Sequence, residues 1–144
     1  MLMAYSRAVI DASVAVKWFS DETDTAAAQR ILASSFHRIC VLYAPDLIFY
    51  EVGNALGGGK RVSESKVVAA LRVLFDSPIE FVRLDQTMMR TTTRLMAVSG
   101  TTFYDAAYGA LAQILGVPLI TANPRDHGKI KEIEVLGIAE FLGT

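Results

Sequence analysis

Between Leu95 and Pro124 the chain reads LMAVSGTTFYDAAYGALAQILGVPLITANP, and Asp105 is its one charged residue. A segment this apolar belongs inside a folded protein, and it takes its carboxylate with it. An unpaired buried carboxylate costs several kcal/mol, so Asp105 must be protonated, paired or placed beside a cation. The segment also constrains the architecture. Gln113, Gly116 and Pro118 divide it into a helix from Thr102 to Leu115 and a strand from Val117 to Thr121, each too short to span a bilayer. The helix is apolar almost all round, which makes it central. The strand is nearly free of polarity, as expected for a parallel strand covered on both faces.

The rest of the chain alternates in the same way. Ala8-Val9-Ile10 is a buried first strand ending at Asp11, and Ser13 can cap a short helix over Val14 to Phe19. Thr23 or Asp24 can cap the helix TAAAQRILASSF. Cys40 to Ala44 is a second strand stopped by Pro45. Asp46 then caps a helix to about Leu56, and Gly57-Gly58-Gly59 ends it. Ser63 opens a helix with Val67, Val68, Leu71, Leu74 and Phe75 as its apolar stripe, followed by a strand from Ile79 to Arg83. A helix with Leu84, Met88, Thr91 and Leu95 near one face ends near Gly100, and an edge strand is expected around Glu134 to Leu136. Alternating strands and helices imply an α/β class with a parallel sheet and right-handed crossovers. The length of 144 residues implies one domain over residues 1–144.

Composition removes several functional classes. With 52% hydrophobic and 20% charged residues, the chain is globular rather than disordered. A formal charge of −1 argues against holding nucleic acid by bulk positive charge and leaves room for a local patch. Lys60, Arg61, Lys66 and Arg72 form the densest such patch, with Arg125, Lys129 and Lys131 a second. They read either as solvated faces or as sites that steer RNA phosphates. Cys40 is the one cysteine, so no intrachain disulfide forms. Arg7 and Asp11 interrupt any apolar signal core near the start. The expectation is a soluble cytoplasmic domain with no membrane partner.

Several acids occupy positions that a simple core or surface would not choose. In open α/β sheets, ligands bind outside the carboxyl ends of the strands. Asp11 follows the first strand, Asn123 follows the fourth, and Asp126 lies three residues further on. Glu51 falls between Leu47, Ile48 and Ala55 on its helix, so it points with the apolar face. Each acid alone has a bland explanation: a strand-end turn for Asp11, a snorkelling or paired Glu51, a first-turn helix acid for Asp105. One polar cavity would account for all three. Clustered carboxylates repel one another unless a cation intervenes, and oxygen donors without a Cys or His cluster favour Mg²⁺ or Mn²⁺. That chemistry suits hydrolysis of a phosphodiester by metal-activated water.

The motifs VIDASVAVKWF, PDLIFYEVGNAL, TTFYDAAYGALA and LITANPRD, in this order over nearly the whole chain, resemble the PIN-domain family, in particular the VapC-like toxin ribonucleases of toxin–antitoxin pairs. The resemblance implies a PIN-like three-layer α/β/α sandwich with a central, mostly parallel sheet. It implies a metal-dependent endoribonuclease with Asp11, Glu51 and Asp105 as its main acids. Asp11 and Asp105 would be the direct Mg²⁺ ligands, with Mn²⁺ as an alternative, and Glu51 would ligate the metal or orient its water. Ser13 matches a position that hydrogen-bonds near the first acid, and Asn54, Thr121 and Asn123 would support the site. Asn123 stands where a fourth acid often follows the strand, which leaves Asp126 as the candidate for that role. The resemblance further implies an RNA substrate, a cognate antitoxin that blocks the site, and a homodimer.

Other motifs carry less. Gly57-Gly58-Gly59-Lys60 lacks the Gly and the Ser or Thr of a phosphate loop, because Asn54 and Arg61 stand there. His37 and His127 are isolated in sequence; with one cysteine and no glycine-flanked serine elbow, a nucleophilic triad and a structural zinc site are rejected. Trp18, Tyr104 and Tyr108 read as core aromatics or as platforms for bases. Two competing functions follow from the same residues. One is a catalytically weakened PIN-like module that binds a partner, favoured by Asn123. The other is a phosphoryl-transfer receiver or phosphatase, which Asp11-Ala12-Ser13 fits poorly because a second Asp is missing.

Overall fold

The apolar runs of the sequence become the strands of one sheet in the computed structural model, which describes residues 3–127 and 130–144. Among these residues there are five strands: β1 (Arg7–Ile10), β2 (Val41–Pro45), β3 (Glu80–Val82), β4 (Leu119–Thr121) and β5 (Val135–Gly137). They lie in the order β3-β2-β1-β4-β5, and every neighbouring pair is parallel. The sheet is therefore all-parallel rather than mostly parallel. β1 is central, with Val9 registered against Tyr43 on one side and Leu119 on the other. Ala8, Val9, Ile10, Leu119 and Ile120 are wholly buried, which accounts for their uninterrupted apolarity.

Eight described helices flank the sheet: α1 (Ala12–Lys17), α2 (Thr25–Phe36), α3 (Leu47–Gly53), α4 (Glu64–Asp76), α5 (Gln86–Ser99), α6 (Phe103–Leu115), α7 (Pro124–His127) and α8 (Ile138–Leu142). α6 is the central helix. Its residues Ala106 to Ala112 are all buried, a run of seven that spans every face. Small side chains make this possible: a Cβ on Gly109 would come within 2.8 Å of Ile130 Cδ1. No described helix is long and apolar enough to cross a membrane.

Four local expectations are corrected. Ser13 does not cap α1; Asp11 does, its Oδ1 accepting from the Val14 amide at 3.4 Å, and Ser13 lies inside the first turn. Asp46 has helical dihedrals and makes no side-chain capping bond. The glycine run does not stop the α3 helix but continues it as a π-helical turn over Asn54–Gly59, closed by Lys60 N–H donating to Ala55 O at 2.9 Å. Leu84, placed on the apolar face of α5 by its spacing, lies before that helix and is exposed, while Met88, Thr92 and Leu95 are the buried positions.

The strand order positions the site. The chain builds β1, β2 and β3 outward in one direction, then returns to the far side of β1 to add β4 and β5. The direction reverses between β1 and β4, and the loops leaving their carboxyl ends diverge to open a crevice there. α6 feeds β4 through Gly116, whose φ of +66° is a left-handed cap that an L side chain adopts at a cost. Gly116→Ala should lower unfolding free energy by about 1–2 kcal/mol, read as a shift in urea midpoint at unchanged m-value.

Candidate active site

Asp11 is the first residue beyond β1, and its side chain is buried at the crevice. A buried carboxylate needs donors, and the fold supplies four. Ser13 Oγ donates to Oδ1 at 2.5 Å, with the Val14 amide at 3.4 Å on the same oxygen. Thr121 Oγ1 donates to Oδ2 at 2.7 Å, and His127 Nε2 lies 2.8 Å from that oxygen. Ser13 and Thr121 are themselves tied to the β4 loop. Ser13 Oγ accepts from the Ala122 amide at 2.9 Å, and Thr121 Oγ1 accepts from the Asn123 amide at 3.1 Å. The network thus joins the ends of β1 and β4 through one charge.

Two helices bring further acids. Glu51 projects half-buried from α3, and Tyr108 OH donates to its Oε1 at 2.5 Å. Asp105 sits in the first turn of α6, where Thr102 caps the helix by accepting the Asp105 amide at 3.1 Å. Tyr108 follows Asp105 by three residues, so one face of α6 presents both. Asp11, Ser13, Glu51, Asp105, Tyr108, Asn123 and His127 line one cavity of about 160 Å³. Burial raises the Glu51 carboxyl above its ordinary value; the Tyr108 hydrogen bond pulls it part of the way back, and the charges of Asp105 and Asp11 push it up again. Burial and the same carboxylate hold the Tyr108 hydroxyl far above its usual range, so it stays a neutral donor. A second, larger groove of about 490 Å³ shares Ser13, Glu51 and Asn123 with the cavity and adds Asn54.

A family model for the PIN domain matches residues 8–133, most of the chain. The chain belongs to the PIN-domain family. No curated protein matches it. Among solved structures it is similar to a toxin–antitoxin complex from Klebsiella pneumoniae, at 19% identity over 91% of this chain and 97% of that one, with a TM-score of 0.67. It is similar to DNA-bound VapBC from Salmonella typhimurium, at 16% identity, 96% and 99% coverage and a TM-score of 0.68. It is also similar to VapC20 of Mycobacterium tuberculosis, a sarcin-ricin loop cleaving toxin, at 15% identity, 78% and 86% coverage and a TM-score of 0.64. At these identities the likeness is one of fold.

Within this PIN domain, the geometry sorts the residues singled out in the sequence. Asp11, Ser13, Glu51, Asp105 and Asn123 meet at one cavity, with Thr121 bonded to Asp11 behind them. Asn54 lines only the larger groove, one turn beyond Glu51. Asp126 belongs to α7, but its side chain lies outside the described residues, as does Lys129. Two site residues escaped the sequence reading. His127 read as isolated because its partner, Asp11, is distant in sequence. Tyr108 read as core or as a base platform; it is core, and its hydroxyl holds Glu51. Its spacing from Asp105 on an apolar helix was the available signal. Trp18 is a core residue, its Nε1 donating to Ala28 O at 2.8 Å, while Tyr104 is exposed. Cys40 is buried, its thiol pushed up to about 11, consistent with an inert structural cysteine.

The donor set fits a hard divalent cation in kind: the carboxylates of Asp11, Glu51 and Asp105 line one small polar cavity, where burial and, to a lesser extent, the neighbouring acids disfavour an ionised Glu51. Among the described residues no three His, Cys, Asp or Glu side chains converge closely enough to hold a metal by themselves. Ligation by one or two carboxylates with water completing the shell suits this spacing, and it is how Mg²⁺ is commonly bound. Asp11 must share its lone pairs with such an ion, because four donors already surround it.

Glu51 holds its proton more tightly in the folded chain than in the unfolded one. Its contribution to stability is therefore full below the ordinary glutamate value and is lost as pH rises through the raised folded value. Glu51→Gln should melt higher than the parent at neutral pH in EDTA, and the difference should vanish on acidification below the ordinary glutamate range, as followed by thermal melts over a pH series.

Proposed function

We propose that this PIN domain is a Mg²⁺-dependent endoribonuclease, the toxin of a toxin–antitoxin pair. The observation that carries the reading is the convergence of Asp11, Glu51 and Asp105 on one 160 Å³ cavity at the strand-order reversal. Asp11 and Asp105 would hold the metal, with Mn²⁺ as an alternative to Mg²⁺. A divalent cation bound there supplies an activated water and neutralises charge at the phosphate. The chain's own residues do the rest. Ser13, Thr121 and His127 fix the Asp11 carboxylate from behind. Tyr108 fixes Glu51, whose raised basicity suits it to receive a proton from water. Asn123, uncharged, offers a hydrogen bond at the cavity edge without adding to the repulsion of a phosphodiester.

The partner expectations have surfaces to support them. A groove of about 560 Å³ is lined by Phe19, Leu56, Val62 and Val73 together with Arg61 and Lys66, a mixture that suits an apolar segment carrying acids, as an antitoxin would need. Tyr50, Leu84 and Tyr104 are exposed around an apolar cavity of about 210 Å³, a patch that suits a second copy of the chain.

A second reading, a partner-binding unit without catalysis, draws on Asn123 and on the four donors that already occupy Asp11. RNA cleavage in Mg²⁺ separates the two. Asp11→Asn and Asp105→Asn should each lower the cleavage rate by more than about 100-fold, the upper end for losing a group that only supports a metal ligand, and EDTA should stop it. Parent protein that cuts neither single-stranded nor structured RNA in Mg²⁺ or Mn²⁺, binds neither ion by calorimetry and still binds its partner tightly would establish the second reading instead.

A further inference from the structure

The 490 Å³ groove opens out of the acid cavity, and two lysines stand along it: Lys17 on α1 and Lys60 at the end of the π-helical turn. Both face one carboxylate. Glu22 Oε2 lies 3.7 Å from Lys17 Nζ, and Glu22 Oε1 lies 3.8 Å from Lys60 Nζ. The two lysines are not equivalent. Lys17 has a closer partner in Asp24 Oδ1 at 2.9 Å and is 15% exposed, so it belongs to the protein's own framework. Lys60 is 38% exposed, and 3.8 Å is beyond hydrogen-bond range, so Glu22 neutralises its charge without engaging its donors. Glu22 is anchored from the other side, with Ser20 Oγ donating to Oε2 at 2.8 Å and Thr25 Oγ1 accepting from its amide at 2.9 Å.

The basic run read from the sequence as one patch is thus divided. Lys60 lines the groove that leads to the acids, Arg61 and Lys66 line the separate 560 Å³ groove, and Arg72 is exposed on α4. Arg61 has φ of +53°, and the backbone reversal there sends consecutive cations to different grooves. With a formal charge of −1 and three acids at the cavity, the protein offers a polyanion little long-range attraction. A strand that brings a phosphate to those acids needs a cation placed beside them, and Lys60 is so placed.

We propose that Lys60, backed by Lys17, is a subsite for a phosphate of the RNA strand next to the one at the acid cavity, and that Glu22 is the counter-ion this phosphate displaces. The proposal rests on the nuclease reading for the identity of the strand. Phosphate oxygens would accept the Lys60 donors that Glu22 leaves unused, and release of Glu22 costs little because a long, solvent-exposed pair of this kind holds only weakly.

The test is binding of a short fluorescent single-stranded oligoribonucleotide, in Mg²⁺, to protein carrying Asp105→Asn so that the strand stays whole. Lys60→Gln should weaken binding about three- to tenfold and lower the slope of log affinity against log salt by about 0.7, one single-strand phosphate contact. Glu22→Gln should tighten binding, because the competing charge is gone, whereas a merely structural Glu22 would leave affinity unchanged or weaken it. Arg72→Gln should bind like the parent. Equal losses for Lys60→Gln and Arg72→Gln would reduce the subsite to diffuse attraction and overturn it. So would weaker binding by Glu22→Gln, or displacement of the strand by an acidic peptide at lower concentration than by unlabelled RNA. A cleavage assay on the Asp105-containing protein keeps the two claims apart. Lys60-dependent binding with no cleavage overturns the nuclease reading alone; cleavage with an unchanged KM in Lys60→Gln overturns the subsite alone.

Discussion

The charge on Asp11 is the point on which the structure turns. It is buried at the end of the central strand, where an unsatisfied carboxylate would be costly, and it is satisfied partly by the turn that follows it and partly by groups more than a hundred positions away. Ser13 comes from α1, Thr121 from the end of β4, and His127 from α7. Pairing β1 with β4 brings these donors within reach, and their bonds in turn tie the ends of the two strands together. The helices that deliver Glu51 and Asp105 therefore approach a carboxylate that is already immobilised. The strained partner is Glu51, which is half-buried and meets two like charges, offset in part by the Tyr108 hydroxyl and by His127.

The elements were legible in the sequence wherever composition alone decides them. The unbroken apolarity of β1 and β4 follows from burial on both faces, and the all-round apolarity of α6 from its place in the core. The acids were legible because each violates its surroundings: Asp105 in a segment without other charge, Glu51 on an apolar helix face, Asp11 at a strand end. What escaped is what depends on contacts distant in sequence. Nothing near His127 announces a partner 116 positions earlier. The Tyr108 hydroxyl is invisible in a helix whose aromatic ring alone explains its burial. Ser13 looked like a cap because its residue type favours caps, yet Asp11 takes that role and leaves the serine hydroxyl for the network. The glycine run looked like a helix stop because glycine usually ends helices; here the same freedom admits a wider turn.

Membership of the PIN-domain family fixes the fold, and the arrangement of grooves says how such a fold can divide its tasks. The small cavity holds the acids, one groove leaving it carries Lys60, and a separate groove carries Arg61 and Lys66 beside apolar side chains. Two different binding surfaces can thus be served by neighbouring residues without competing for the same charges. A chain with a net charge near zero gains from this economy, because its few cations act locally.

The π-helical turn has a consequence for how such a surface changes in descent. Its geometry amounts to one residue more than an α-helical path would use between Glu51 and Lys60. Loss of a single glycine from Gly57-Gly58-Gly59 could therefore be absorbed by a return to the tighter winding, with the residues after it kept at nearly their present bearing. Lys60 would still face the acid groove. The turn thus acts as a length buffer: a single codon gained or lost there would change the winding of one turn and leave both the groove and the register of the sheet in place.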